Sequence, residues 1–246
     1  MSKNTDHDDI FSRPQKASDF KFGKTVVSVF DDMVTRSVPF YLEIQRMMTE
    51  MAADFAMPGT NVYDLGCSTG TTLINLDKVL DPAVSFVEID ESEEMLKKCK
   101  TNFENEKVSR KFELQRVDLN QGVRVENASV VVMCLTLQFI RPLYREKLLK
   151  EIYLQMNDNS CFILIEKVLG EDSLFNRLFI DYYYDFKRRN HYNDMEIAQK
   201  REALENVLIP YKLSENITLL RDAGFEHCEV FFKWYNFTGI IAKKFS

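Results

Sequence analysis

The sequence predicts an α/β fold on a mostly parallel sheet of seven strands, and three observations lead there. Five short apolar runs of the fully buried type, NVYDL (61–65), VSFVEI (84–89), FELQRV (112–117), SVVVMCLTL (129–137) and CFILIEKV (161–168), alternate with helical patterns at 70–80, 92–106 and 142–156. Strand, helix, strand repeated closes as parallel units with helices on both faces. The chain ends on HCEVFFKWYNFTGIIAKK, two more strand-like runs parted near Tyr235 and Asn236, which reads as an antiparallel hairpin at the sheet edge. Finally, glycine and proline, 8 and 6 of 246 residues, leave no linker that would split the chain.

In order, 1–246 is expected to form one domain. Residues 24–56 form an N-terminal helical cap, 57–168 and 224–246 the sheet core, and 169–223 a helical insertion. Within the cap, 24–35 and 40–56 read as helices, and Leu42, Ile44, Met47, Met48, Met51, Ala52 and Phe55 can form one broad apolar face. Methionine fills irregular core gaps, so these side chains are read as packing rather than as ligands. Beyond 168 the pattern becomes a long helical stretch rich in aromatics and charge. Its run Tyr182, Tyr183, Tyr184 with Phe186 and Tyr192 suits core or subunit interface better than a substrate cage. Lys187, Arg188 and Arg189 suit a solvated helix face, a reading also open to Lys200 and Arg201.

A formal net charge of −6 disfavours a broad grip on nucleic acid, so no direct nucleic-acid contact is expected. The five cysteines are odd in number, scattered and without a C-x-x-C pair, which argues against a disulfide framework or a zinc site. No run approaches eighteen uncharged apolar residues, and MSKNTDHDDIFSRPQK has no apolar stretch of signal-peptide type. A reduced, cytoplasmic protein without metal or membrane contact is the expectation.

The chemistry is signalled by YDLGCSTG (63–70), a glycine-bounded turn closing the first strand. A dinucleotide turn needs glycine at its centre so that backbone can approach a pyrophosphate. Here the centre is Ser68 and the final position is Thr71, so the turn suits a phosphate-free nucleoside, S-adenosylmethionine, better than NAD. Asp90, at the end of the second strand, can accept both ribose hydroxyls, and Asp118 with the backbone at Leu119 can read the adenine amino edge. All three groups lie beyond the carboxyl ends of parallel strands, where ligands bind in open α/β sheets. Taken singly, Asp64 and Asp90 equally suit strand ends, and Ser68 and Thr69 can cap the following helix. Together they indicate a Rossmann-like class I methyltransferase fold.

Three further stretches, VFDDMVTRSVPFY (29–41), LTLQFI (135–140) and DFKRRNHYNDMEIAQKREALEN (185–206), resemble the carboxy-S-adenosyl-L-methionine synthase family, a likeness running from about residue 10 to the C-terminal hairpin. The resemblance implies that the cofactor methyl is carboxylated rather than donated. Prephenate is the implied carboxyl source and phenylpyruvate the coproduct, with carboxy-S-adenosyl-L-methionine feeding a separate enzyme of tRNA wobble uridine modification. It implies that Tyr41 closes over the cofactor, that Gly66, Cys67 and Ser68 form the nucleoside turn, that Asp90 and Glu91 meet the ribose, and that Asp118 and Leu119 meet adenine. It also implies that Arg201 receives the new carboxylate and that the protein is a homodimer. Two positions depart from the family: Cys134 and Glu91 stand where asparagine is common. A thiol cannot replace the directed hydrogen bonds of an amide, so the departure at Cys134 matters more. No histidine is placed by motif to act as a base. An ordinary small-molecule methyltransferase and a non-catalytic binding module remain open on the sequence alone.

Overall fold

The structure is a computed structural model and describes residues 7–16 and 18–245; the first six residues of the expected domain and of its polar N-terminus lie outside it, as do residues 17 and 246. Helices α1 (Lys24–Ser37) and α2 (Tyr41–Phe55) precede the sheet. Then follow β1 (Asn61–Leu65), α3 (Thr71–Asp77), β2 (Ser85–Asp90), α4 (Glu93–Asn105), β3 (Phe112–Arg116), β4 (Ala128–Cys134), α5 (Pro142–Gln155) and β5 (Met156–Leu169). The chain continues through α6 (Ser173–Arg189), α7 (Asp194–Leu204), the two-residue β6 (Tyr211–Lys212), α8 (Leu213–Ala223), β7 (His227–Trp234) and β8 (Phe237–Lys243).

Seven strands run in the order β3-β2-β1-β4-β5-β8-β7, with β6 paired to β5 off this path. Strands β1 to β5 are parallel to one another, whereas β8 is antiparallel to β5 and β7. The hairpin is therefore inserted beside β5, with β7 rather than β8 at the edge. Side chains alternate between two cores, as a pleated strand requires. On β4 and β5, Val131, Met133, Phe162 and Leu164 join the core beneath α5 and α8. Val130, Val132, Cys161, Ile163 and Ile165 join the core beneath α2 and α3. Both faces are covered, which is why the central strands read as unbroken apolar runs.

Several boundaries differ from the sequence expectation; β5, for one, starts at Met156, well before the run CFILIEKV. The run SVVVMCLTL stops being strand at Cys134, because Leu135 turns left-handed at φ 59°. The long helical stretch beyond residue 168 is two helices, separated at Asn190–Asn193. Asn193 caps α7 in a reciprocal capping box with Glu196, and α6 ends at Arg189. Leu220 and Ala223 of α8 pack in the sheet core with Leu148, Leu149 and Ile152 of α5, so α8 is one of the sheet-covering helices. The helices of the insertion that line the cavity are α6 and α7, and Tyr183 of α6 also packs into the core beneath α2 and α3. Among the described residues no helix is long and apolar enough to cross a membrane.

Candidate functional site

A cavity of about 390 Å³ opens beyond the carboxyl ends of β1, β2 and β4. One wall is the turn after β1. Gly66 sits at φ +87°, and a side chain there would run into Thr136, whose Cβ would lie 2.9 Å from the added carbon. Gly70 sits at φ +82° with Cys99 Sγ 2.6 Å from the position of a Cβ. Both glycines are thus required twice over, by dihedral and by space. Ser68 is itself left-handed at φ 51°.

Asp90 holds this turn. Its Oδ2 accepts the Ser68 amide at 3.0 Å and its Oδ1 accepts the Ser92 amide at 2.8 Å. The carboxylate therefore staples the turn to the start of α4 as well as facing the cavity. Burial raises its pKa, and the two amides oppose that rise. Ser92 caps α4 through Met95 N and donates to the Phe22 carbonyl at 2.7 Å. Thr69 donates to Asp31 of α1 at 2.7 Å, so the N-terminal helices are tied directly to the turn. Asp118 accepts Asn120 N and Nδ2 at 2.9 and 2.8 Å through one oxygen, and these bonds hold its carboxyl below the usual range.

Every residue singled out from the sequence lines this one cavity: Tyr41, Gly66, Cys67, Ser68, Asp90 and Glu91 on the turn side, Asp118, Leu119, Cys134 and Arg201 around the rest. Asp64 lines it too; it is 1% exposed, its Oδ1 lacks a partner among the described residues, and burial pushes its carboxyl up to about 7. Burial, with Asp64 and Glu166 nearby, also raises the Cys134 thiol, which keeps it neutral and unsuited to act as a nucleophile. Beneath the turn, Cys67, Glu88 and Cys99 form a buried cluster whose ligand atoms lie within 4.8 Å of one another. Burial holds the Cys67 thiol and the Glu88 carboxyl well above their usual ranges.

The far wall corrects the reading of the helical insertion. Lys187 and Lys200 are not on a solvated face: they are 5% and 6% exposed and line the cavity, together with Lys167 of β5. Tyr183 and Tyr184 line it as well, and the Tyr183 hydroxyl donates to the Ser37 carbonyl at 3.0 Å. Arg188 and Arg189 are exposed as expected, and Arg188 pairs with Asp185 and Asp194 at 2.6 and 2.8 Å. Arg201 reaches the cavity but is exposed, so its charge is largely screened by water in the single chain.

Sequence reasoning missed further contributors besides Lys167. Phe20 and Phe22 supply, with Phe139, an edge-to-face aromatic cluster at centroid distances of 5.1 and 5.3 Å beside Asp118 and Leu119. Their segment has no period; the Phe20 amide bonding to the Ala203 carbonyl at 3.0 Å and the Ser92 hydroxyl donating to the Phe22 carbonyl place it. Arg145, 1% exposed, donates to the carbonyls of Ile140, Gln138 and Ile209 and so fixes the loop after β4 under the cavity. Arg36 donates to the carbonyls of Asp8, Asn190 and His191, locking the N-terminal segment, α1 and the α6–α7 connection together.

A methyltransferase domain family matches residues 62–159, the segment carrying the turn, Asp90, Asp118 and Cys134. Among solved structures, a putative S-adenosylmethionine-dependent methyltransferase from Methanococcus maripaludis superposes with a TM-score of 0.62 at 17% identity, over 95% of this chain and 98% of that one. Human N-acetylserotonin methyltransferase, in complex with S-adenosylmethionine, superposes at 0.57 with 16% identity over 89% of this chain and 55% of its own. At these identities the likeness establishes the fold alone. Sequence relatives go further. Carboxy-S-adenosyl-L-methionine synthase of Methylococcus capsulatus is 58% identical over 96% of this chain and 99% of its own length. The synthases of Desulfotalea psychrophila and Helicobacter pylori are 43% and 40% identical over 96% and 92% of this chain. A glycine turn held by Asp90, with all the singled-out residues around one cavity, and identity at this level along nearly the whole chain lead to one conclusion: the chain belongs to the carboxy-S-adenosyl-L-methionine synthase family.

Proposed function

We propose that the cavity converts S-adenosyl-L-methionine and prephenate into carboxy-S-adenosyl-L-methionine, phenylpyruvate and water. The observation that carries this reading is the division of one cavity into two walls of opposite character. The turn side offers carboxylates and an aromatic slot, suited to ribose, adenine and the cationic sulfonium; the α6–α7 side offers buried cations, suited to a dianion. An acceptor of ordinary methyl transfer has no need of the second wall.

The reaction needs a carbon nucleophile at the sulfonium methyl. Asp64 titrates near 7, far too weak a base for that C–H, and no histidine is among the described residues lining the cavity. The substrate supplies the base instead. As prephenate aromatises, its ring carboxylate leaves as carbon dioxide and its ring hydroxyl as hydroxide; hydroxide takes a methyl proton and becomes water. The resulting ylide, stabilised by the adjacent positive sulfur, forms a carbon–carbon bond to the carbon dioxide. The protein then has to hold the partners in contact and keep bulk water away. In this reading Tyr41 closes over the nucleoside, Asp90 and Glu91 meet the ribose, and Gly66, Cys67 and Ser68 carry the methionine portion. Asp118 and Leu119 meet adenine, while Cys134 lines the reacting region. The buried Asp64 oxygen without a partner fits the methionine ammonium. Arg201 faces the new carboxylate. No step requires a metal.

Pairing of two chains fits the exposed aromatic row on α6 and the β7–β8 turn. There Phe175, Phe179, Tyr182 and Tyr235 stack on one another at 4.9–6.2 Å, and Phe175, Tyr182 and Tyr235 are exposed. Sedimentation of the protein with and without Phe175→Glu tests it, since a charge in the row should leave single chains. For the activity, mass spectrometry after incubation with S-adenosylmethionine and prephenate is decisive. A nucleoside heavier by one carbon dioxide is expected; S-adenosylhomocysteine instead would refute the synthase reading in favour of methyl transfer.

A further inference from the structure

Three lysines from three different elements converge on one side of the cavity: Lys167 from β5, Lys187 from α6 and Lys200 from α7. Such convergence is costly, because an ammonium taken from water needs a compensating partner and here each raises the cost of the next. Compensation within the protein is partial. Lys200 has Asp8, buried at 1% exposure, 3.7 Å from its Nζ, and Ser37 Oγ at 3.3 Å. Asp8 is shared, since it also accepts the Tyr192 hydroxyl at 2.5 Å. Lys167 and Lys187 each rest over the Tyr183 ring, with Nζ 4.8 Å from its centroid, and among the described residues neither has a carboxylate in contact. One acid thus answers three clustered lysines, two buried and one half-buried; burial, with Lys200 and Lys167 close by, holds the Lys187 ammonium well below its usual range, so an anion entering the cavity is the partner that keeps it charged.

Resting on the reaction assigned above, we propose that Lys167, Lys187 and Lys200 form the seat of the carboxyl donor and hold its 2-oxo carboxylate, leaving the departing ring carboxylate unpaired. The chemistry dictates which carboxylate is held. Decarboxylation turns an anion into neutral carbon dioxide, so a cation paired with the leaving carboxylate would stabilise the ground state more than the transition state and slow the reaction. The 2-oxo carboxylate keeps its charge throughout and survives in phenylpyruvate. Pairing with it stabilises substrate and transition state alike. Tyr183, held between two ammonium groups and by its bond to Ser37, keeps the lysine tips apart.

Uniform binding of this kind has a kinetic signature: KM rises and kcat stays. In the full-length protein, Lys187→Met and Lys167→Met should each raise KM for prephenate by about ten- to a hundredfold, with kcat within about threefold of wild type. Inhibition by phenylpyruvate should weaken by the same factor, while affinity for S-adenosylhomocysteine, measured by calorimetry, stays within about threefold and certifies the fold. Lys187→Arg, which retains the cation, should recover part of the loss. If Lys187→Met fails that folding control, Lys167→Met, at a half-buried strand position, carries the test by itself. An unchanged KM for prephenate in the folded variants overturns the seat. A fall in kcat at constant KM overturns it as well, because the cations would then act on the carboxylate that departs. If wild type forms no carboxylated nucleoside from prephenate, the assigned reaction fails by itself, and direct calorimetric binding of phenylpyruvate to wild type and Lys187→Met still decides for or against the lysines.

Discussion

Replacing Asp90 should cost both stability and ligand affinity, and the two can be separated. The carboxylate accepts amides from Ser68 and Ser92, one on each oxygen, across the junction of turn and helix. In Asp90→Asn the amide oxygen can serve one of these donors while the NH₂ group confronts the other N–H. A hydrogen bond to a charged group contributes about 1.5–3 kcal/mol, and a buried donor left unsatisfied costs about 1–3 kcal/mol. The two overlap, so about 2–3 kcal/mol is expected for Asn. Asp90→Ala removes both acceptors but leaves room for water, which places it at about 2–4 kcal/mol by the same accounting. Affinity for S-adenosylhomocysteine should fall further, by about ten- to a hundredfold in Asp90→Ala, as the ribose hydroxyls lose their charged partner. Urea titration followed by circular dichroism measures the first effect and calorimetry the second. Unfolding midpoints and affinity both equal to wild type would refute the reasoning, since the staple and the ribose contact would each have proved dispensable.

Gly66→Ala should destabilise by about 2–5 kcal/mol, combining a left-handed dihedral, about 1–2, with overpacking against Thr136, about 1–3, and thermal melting reads it directly. Arg201→Ala should bind S-adenosylmethionine within a few-fold of wild type. Because Arg201 is exposed, its preference for the carboxylated nucleoside should drop by only about tenfold or less in competition binding. Cys134→Asn should fold and retain prephenate-dependent turnover, since the thiol is a neutral lining group and the family commonly carries an amide there; loss of turnover would mean that the pocket is built around the thiol. Stability should dip near pH 8. Burial pushes Glu166 up to about 8 and Asp64 to about 7, so the folded chain holds more protons than the unfolded one above the ordinary carboxylate range, and stability falls as pH rises to that point. Burial lowers Lys167 and Lys200 to about 8, so from there toward their ordinary value of 10.5 the unfolded chain holds more protons and stability recovers. Melting temperatures across pH 5–10 test this, and Glu166→Gln should flatten the acidic limb.

The sequence by itself determined what depends on neighbours along the chain. Continuous burial made β1, β2, β4 and β5 visible, because residues buried on both faces must be apolar whatever covers them. The glycine turn and Asp90 were legible because positive φ and a strand-end carboxylate are local requirements. The break between α6 and α7 was also written locally, in the capping pair Asn193 and Glu196. Which cations are buried was decided only by the tertiary structure. Lys200 and Arg201 are consecutive on α7, yet one is 6% exposed and the other open to solvent. Charged residues lie on several sides of that helix, so its pattern names no inner face; the choice is made by α1, α6 and the segment carrying Asp8, all distant in sequence. Phe20 and Phe22 are placed in the same way, by a backbone bond to Ala203 and a ring contact with Phe139. The chain announces the nucleoside half of the cavity because one turn and one strand end build it. The cationic half takes form only when three remote elements close on one another, and burial, which gives those charges their force, is a property of the assembled fold.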